Sequence, residues 1–577
     1  MPTNERREFL TQVAAIAATG ASLAAVHRVE GAQAQPHVDA IESEAITQAS
    51  IAEAEKLAGI RFTAAERAQM LRSIDEQRRM LAARVQAGPL SNDLAPAETF
   101  RAELPGKAVT RVTTEGESSE LSLMKLPAAV PSREDLAYAG IPHLAALLRA
   151  QVVTSRMLTE LAIARLDRLN PTLRCAITVV RGAALAQADA LDRELRSGTV
   201  RGPLHGIPYA AKDLLDTKGI ATTWGAEPFR DRVPNTSAWV VDALARAGAV
   251  LIAKTSVGAL AYGDIWFGGT CKNPWNTEQG SSGSSAGSAS AVGAGIVPFA
   301  IGTETLGSIV SPCVRCGVSG LRPTFGRVPR TGCMALVWSM DKIGPIARSA
   351  SDCGIVLGVI NGQSDGDASN VQAPFNWSPA QDARGLRVGY APEWFGANGG
   401  RGDGEGVESS HEAVFQAIRD AGATLVEVKP PQLDSSPLII PLITEAAAAF
   451  EDLTRTNSDD SLAWQADEAW PNSFRQAWFI PAIAAVQASR LRRQAMGVMH
   501  DFFGQADCVV CPPFAGQMLL LTNACGQPCV VARSGFAAAN RPRSVTVMGR
   551  LFDEGTPLRV ASAIESRLGG WETRPAL

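Results

Sequence analysis

Residues 280–295 read GSSGSSAGSASAVGAG, sixteen positions in which Val292 is the largest side chain. A run this small cannot build a core from its own side chains. It could serve as a flexible linker. Its Ala/Val-rich continuation carries no charge, however, and fits a buried helix that neighbours approach closely. GTETLGSIVSP follows at 302–312, and GIPYAAKDLLDTKGI lies upstream at 206–220 with Lys212 at the end of a short strand pattern. Hydroxyls, glycine turns and one lysine are therefore the available chemistry.

That set suits acyl transfer without histidine. A serine attacking a carbonyl must lose its proton. A lysine can take the proton only when neutral, and burial achieves this by lowering its pKa. The oxyanion needs backbone N–H donors, which a tight glycine turn supplies. A second hydroxyl can relay the proton. The pattern points to a serine hydrolase whose base is a lysine.

The rest of the chain sets the frame. With 577 residues, 46% apolar, it is long enough for a large core, and its net charge of −4 gives no electrostatic case for nucleic acid. Arg6-Arg7-Glu8-Phe9-Leu10, an apolar stretch at 13–26 and Ala32-Gln33-Ala34 form the layout of a twin-arginine signal peptide cleaved near Ala34. Its apolar stretch is too short and Ala-rich for a stable span. Residues 1–34 are therefore read as the signal and 35–134 as a helical prefix with an extended linker, in which Thr63 and Glu66 form a capping box. From 135 onward helical periods alternate with short β-rich runs, which argues for an α/β sheet covered by helices. Helix is expected at 147–171 and 183–198, and strand at 175–180, 207–213 and the end of 237–255. Residues of about 440–505 read as mostly helical and rich in Trp and Phe, and the chain from Cys508 as short strands and turns.

The motifs are ordered as in a known family. Residues 283–295 follow the Gly-Ser-Ser-Gly-Gly-Ser-Ala-x-Ala-Val-x-Ala-Gly run of the amidase signature family, 302–308 its Gly-Thr-Asp-x-Gly-Gly-Ser element, and 206–213 its Gly-Ile-Pro-x-x-x-Lys-Asp element. GLRPTFGRVPRTG (320–332), DKIGPIARSASD (341–352), LTNACGQP (521–528) and MGRLFDEGTPLRVA (548–561) resemble its later motifs. The resemblance spans roughly 136–565. It implies the amidase signature fold, a large mixed β-sheet sandwiched between α-helices. It also implies a Lys–cis-Ser–Ser triad on Lys212, Ser284 and Ser308, with the N–H groups of Thr305, Leu306, Gly307 and Ser308 as oxyanion hole. Ser284 and Ser308 stand 24 residues apart, the separation the family keeps; a register starting at Ser281 would land on Thr305. Three departures stand out: Leu306 in place of Gly, Glu304 in place of Asp, and Val310 where an Arg often pairs with that Asp. The sequence therefore reads as lacking the ion pair that buttresses the turn.

Competing readings are weaker. Residues 283–287 also fit G-x-S-x-G with Ser285 as nucleophile, but only His411 and His500 follow it and neither has a distinctive setting. Ser122 and Lys125 match S-x-x-K but stand alone in the linker. His205 reads as a packing residue, and Asp213 and Asp216 as supports of the lysine loop. Cys313/Cys316 and Cys508/Cys511 have C-x-x-C spacing without a nearby histidine, so they read as buried thiols, with disulfides left open. The expected enzyme is an exported, periplasmic or secreted amidase that hydrolyses a small-molecule carboxamide. It needs no cofactor or metal, meets the twin-arginine export machinery, and has no nucleic-acid partner or stable membrane association; a homodimer stays open. Trp464, Trp470, Phe474, Trp478 and Phe479 are the candidate substrate-binding residues. The alternatives are a glutamine-hydrolysing amidotransferase component, or an esterase or carbamate hydrolase on the same scaffold.

Overall fold

The strand that ends on Lys212 is buried along its whole length, and this fits its composition, PYAAK, with apolar side chains on both faces. It lies inside an eleven-stranded mixed sheet. This arrangement is seen in a computed structural model that describes residues 45–72, 74, 88–104, 107, 131–395, 407–537 and 540–577, with the side chains of 407–410 excepted. In chain order the strands are β1 (Ala176–Val179), β2 (Pro208–Lys212), β3 (Val250–Thr255), β4 (Phe299–Glu304), β5 (Ser319–Arg322), β6 (Lys342–Ala347), β7 (Arg387–Tyr390), β8 (Thr424–Glu427), β9 (Cys508–Cys511), β10 (Cys529–Ala537) and β11 (Arg541–Gly549). Their order across the sheet is β1-β3-β2-β4-β6-β5-β10-β11-β9-β7-β8. β2 runs parallel to both β3 and β4, and β6 runs antiparallel to β4. Lys212 therefore reaches the same end of the sheet as Glu304.

Helices cover the sheet. The small-residue run forms the helix Ala286–Gly293, every residue of which is buried. An added Cβ at Gly287 would lie 2.1 Å from the Cys175 carbonyl oxygen and 2.6 Å from the Ser256 nitrogen. Small residues are needed here because the helix sits directly on neighbouring backbone.

Several elements differ from expectation. The period at 147–171 is divided between helices Ile141–Arg149 and Ser155–Leu173, the second starting at a Thr154 cap. The second helix also runs two residues past Pro171, which sits in its last turn. Beyond Cys508 the chain forms two nine-residue strands, and two helices, Met518–Cys525 and Gly555–Leu568, rather than only short strands and turns. In the prefix, Thr63 and Glu66 do cap each other at the start of helix Ala64–Leu71. The signal-like residues 1–34, residues 75–87, and Ser122 with Lys125 lie outside the described residues. No helix among the described residues is long and apolar enough to cross a membrane.

Candidate active site

Lys212 is fully buried. Its Nζ lies 2.8 Å from Ser284 Oγ, 3.1 Å from Ser285 Oγ, 2.7 Å from Thr303 Oγ1 and 3.3 Å from the Thr303 carbonyl. Burial draws its pKa down to about 7, and the more distant Cys333, Asp341 and Glu304 offset only part of that. Near neutral pH a large share of Lys212 is thus a free amine in contact with Ser284. The Gly283–Ser284 peptide bond is cis. A Cβ on Gly283 would fall 1.8 Å from the Gly263 carbonyl oxygen, so only glycine fits. Beside it, the Ser282 N–H donates to Asp264 Oδ2 at 2.8 Å.

The Ser308 turn follows directly from β4. Gly307 has φ +83°, and among the described residues the turn places no positive φ on Leu306. The backbone therefore requires glycine at 307 only, which accounts for the tolerated Leu306. The Ser285 N–H donates to the Ser308 carbonyl at 3.1 Å, tying the turn to the start of the small-residue helix. Among the described residues, no hydrogen bond engages the N–H groups of Thr305, Leu306, Gly307 and Ser308. Lys212, Ser284 and the Ser308 turn are brought to one place, and Ser308 keeps slight exposure, 8%.

The turn does have its ion pair, contrary to the reading of the sequence. Arg322, at the end of β5, supplies the guanidinium that Val310 cannot, with Nη1 2.7 Å from Glu304 Oε1. The longer glutamate also accepts from the N–H groups of Ile309 at 2.8 Å and Val310 at 2.9 Å, and from Asn523 Nδ2 at 2.8 Å. Burial alone would raise the Glu304 pKa; the Arg322 charge and these hydrogen bonds outweigh it and hold the value at about 2. On the other side, Thr305 Oγ1 donates to Asp341 Oδ1 at 2.5 Å, and Asp341 Oδ2 accepts from Leu336 and Val337 N–H. Sequence reasoning missed Arg322, Asn523, Asp341 and Thr303 as site residues. The signal for the first three was present, since each stands in one of the later motifs.

Other candidates fall elsewhere. Ser285 Oγ donates to the Thr303 carbonyl and accepts from its N–H, fully buried, with no histidine among its hydrogen-bond partners. His205 is held by the Leu191 carbonyl and the Arg201 N–H. Asp213 forms a buried pair with Lys254 at 3.1 Å, and Asp216 pairs with Arg232 at 2.6 Å. All ten cysteines are free thiols, nine of them buried and Cys333 half-buried.

A cavity of about 260 Å³ opens beside Thr303 and Thr305, lined further by Leu214, Ala261, Cys333, Met334, Leu336 and Trp338. None of the five expected aromatic residues lines it. Trp470 stacks on Phe474 and donates its indole N–H to the Leu260 carbonyl at 2.9 Å. Trp464 rests on Tyr262, and a Cβ added at Gly263 would lie 3.3 Å from its ring. These rings pack against the backbone of residues 260–263, whose Gly263 carbonyl lies against Gly283. Trp478 and Phe479 are exposed, and the Arg455 guanidinium lies over the Trp478 ring. Trp470 and Phe474 are therefore core residues, whereas Trp464 lies half-buried outside the helix.

The family model Amidase matches residues 157–557. The chain belongs to the amidase family. It is 34% identical over 482 residues to the A component of glutamyl-tRNA(Gln) amidotransferase from Chloroflexus aurantiacus, an alignment covering 75% of this chain and 97% of the relative. In structure it is similar to the native peptide amidase of Stenotrophomonas maltophilia, with a TM-score of 0.66 and 28% identity over 77% of this chain and 99% of that one. It is also similar to the A component of glutamyl-tRNA(Gln) amidotransferase from Thermotoga maritima, with a TM-score of 0.62 and 25% identity over 75% of this chain and 96% of that one. Membership accounts for the order of the motifs, and these amidase motifs meet around the Ser308 turn.

Proposed function

We propose that this amidase-family chain hydrolyses a carboxamide C–N bond through an acyl-Ser308 intermediate. One observation carries the reading: a buried Lys212 with its pKa drawn to about 7, in contact with Ser284 Oγ at 2.8 Å. In this mechanism neutral Lys212 takes the Ser308 proton by way of Ser284 as Ser308 Oγ attacks the carbonyl carbon. The turn N–H groups receive the negative charge on the carbonyl oxygen. Collapse breaks the C–N bond, and the proton returns through Ser284 to the leaving nitrogen. Water, deprotonated along the same path, then releases the acid and restores Ser308.

Two finer readings differ in substrate. Sequence likeness favours the glutamine-hydrolysing amidotransferase component, because a relative matched over 97% of its length carries the amidotransferase name. The reading as an exported, self-sufficient amidase of small carboxamides rests on the twin-arginine pattern at Arg6-Arg7 and on a chain segment, outside the matched region, that walls the cavity. Ammonia or amine release from glutamine, peptide C-terminal amides, alkyl and aryl amides, and matching esters separates them. Turnover of glutamine alone supports the amidotransferase reading, and turnover of the other amides without glutamine supports the self-sufficient one. Equal turnover by Ser308→Ala and wild type would contradict the mechanism itself.

A further inference from the structure

The cavity beside Thr305 is closed on one side by residues that precede the family-matched region. Asp93 and Ala95 line it, while the matched region begins only at residue 157. The segment is fastened at Asn92. Its side-chain Nδ2 donates to the Ala335 carbonyl at 2.9 Å, and its Oδ1 accepts from the Ala335 N–H at 2.8 Å. The Trp338 indole N–H reaches the Asn92 carbonyl at 3.4 Å. Further along, the Phe100 ring lies edge-on to Phe325, under the Arg492 guanidinium at 3.5 Å, and Ala102 is buried. Ala335 directly precedes Leu336 and Val337, whose N–H groups hold Asp341 and through it Thr305.

The charges around this cavity are mostly committed. Arg330 is engaged by both Asp367 oxygens and by the Trp338 carbonyl. Asp341 is engaged by Thr305 and two N–H groups, and Lys342 by backbone carbonyls. Asp93 is exposed, and its carboxylate accepts from the neighbouring Ser91 hydroxyl, which leaves its charge without a cation among the described residues. Lys342 and Asp341 are buried, so the solvent-facing charge on the wall is the negative one that the Asp93 carboxylate adds. At about 260 Å³ the space also lies below the range of ~300–1,000 Å³ usual for ligand pockets.

We propose that residues 92–95 are a specificity element of this site, clamped by Asn92, that limits it to compact neutral or cationic carboxamides and disfavours bulky or carboxylate-bearing ones. The proposal rests on the amide-hydrolase reading above. Asn92 acts by positioning the wall; Asp93 acts by its charge.

The test compares wild type, Asn92→Ala and Asp93→Asn on three primary amides of similar reactivity: compact neutral, bulky neutral, and compact with a carboxylate. Ser308→Ala is run in parallel. Asn92→Ala should raise the bulky-to-compact ratio of kcat/KM about tenfold, the effect of ~1.4 kcal/mol. Asp93→Asn should raise the anionic-to-neutral ratio roughly threefold, as expected for an exposed, screened charge. The same ratios should appear in the rates at which compact, bulky and anionic sulfonyl fluorides modify the protein. Ratios unchanged in both measurements would overturn the specificity element while leaving the hydrolase reading intact. Equal turnover by Ser308→Ala would instead overturn the hydrolase reading.

Discussion

Lys212 couples the chemistry to pH in two measurable ways. Burial disfavours its ammonium form and draws the pKa from 10.5 to about 7. The neutral base gains population as pH rises, so kcat/KM on an amide should climb through an apparent pKa near 7 and then level off. Lys212→Ala should lose most amide activity at every pH; a rising limb intact in that variant would assign the base elsewhere. The same shift bears on stability. Between pH 7 and 10.5 the unfolded chain holds the lysine proton more tightly than the folded one, so stability rises with pH across that window. Lys212→Met should therefore raise Tm more at pH 7 than at pH 10. A Tm difference independent of pH would contradict the shift. Glu304 poses the opposite case. Its partner Arg322 is equally buried, so Arg322→Met strands a carboxylate without its cation. The expected loss is about 3–5 kcal/mol of stability, with a fall in kcat larger than any change in KM, read from urea unfolding and steady-state kinetics. Lys212, Ser284 and Ser308 could be read from the sequence because motif spacing locates them. Arg322 stands in a motif, but its partnership with Glu304 could not be read there, since it depends on the sheet order that sets β6 between β4 and β5.

Among the elements, the helix Ala286–Gly293 shows why small residues were a dependable signal. Its composition implied close approach, and the structure supplies the neighbours: the Cys175 carbonyl and Ser256 against Gly287. Gly287→Ala should push the helix off β3 and cost about 1–3 kcal/mol or more, with activity falling even where the fold survives. A Tm matching that of wild type would show that the helix can shift without cost. Legibility was poorest where local pattern and tertiary role diverge. The aromatic-rich stretch at 464–479 reads as a binding region, yet Trp470 and Phe474 are buried, stacked on each other and anchored through Trp470 to the Leu260 carbonyl. The helix Gly555–Leu568 escaped notice because a glycine, a threonine and a proline open it, residues that also mark turns.

Across the whole molecule, residues from 18 to 219 positions away in the chain meet at one turn. Arg322 and Asn523 reach Glu304, and Asp341 reaches Thr305. Arg327 and Glu554 form a further buried pair at 2.7 Å that ties the chain after β5 to the helix following β11. The fold class was legible because helical and strand periods alternate along the chain. The convergence was legible only as motif order, because nothing local tells a residue at 523 that its partner is at 304. The proposed export also belongs to this scale. Replacing Arg6 and Arg7 with Lys should leave the precursor in the cytoplasm, and unchanged periplasmic amounts of a chain starting near Gln35 would contradict it. The mechanism as a whole turns on which serine is acylated. Treating the protein with a fluorophosphonate or sulfonyl fluoride and mapping the modified peptide by mass spectrometry answers this directly. The expected result is a single adduct on Ser308, absent in Ser308→Ala and slowed in Lys212→Ala. An adduct on Ser285, or labelling that persists undiminished in Ser308→Ala, would contradict it.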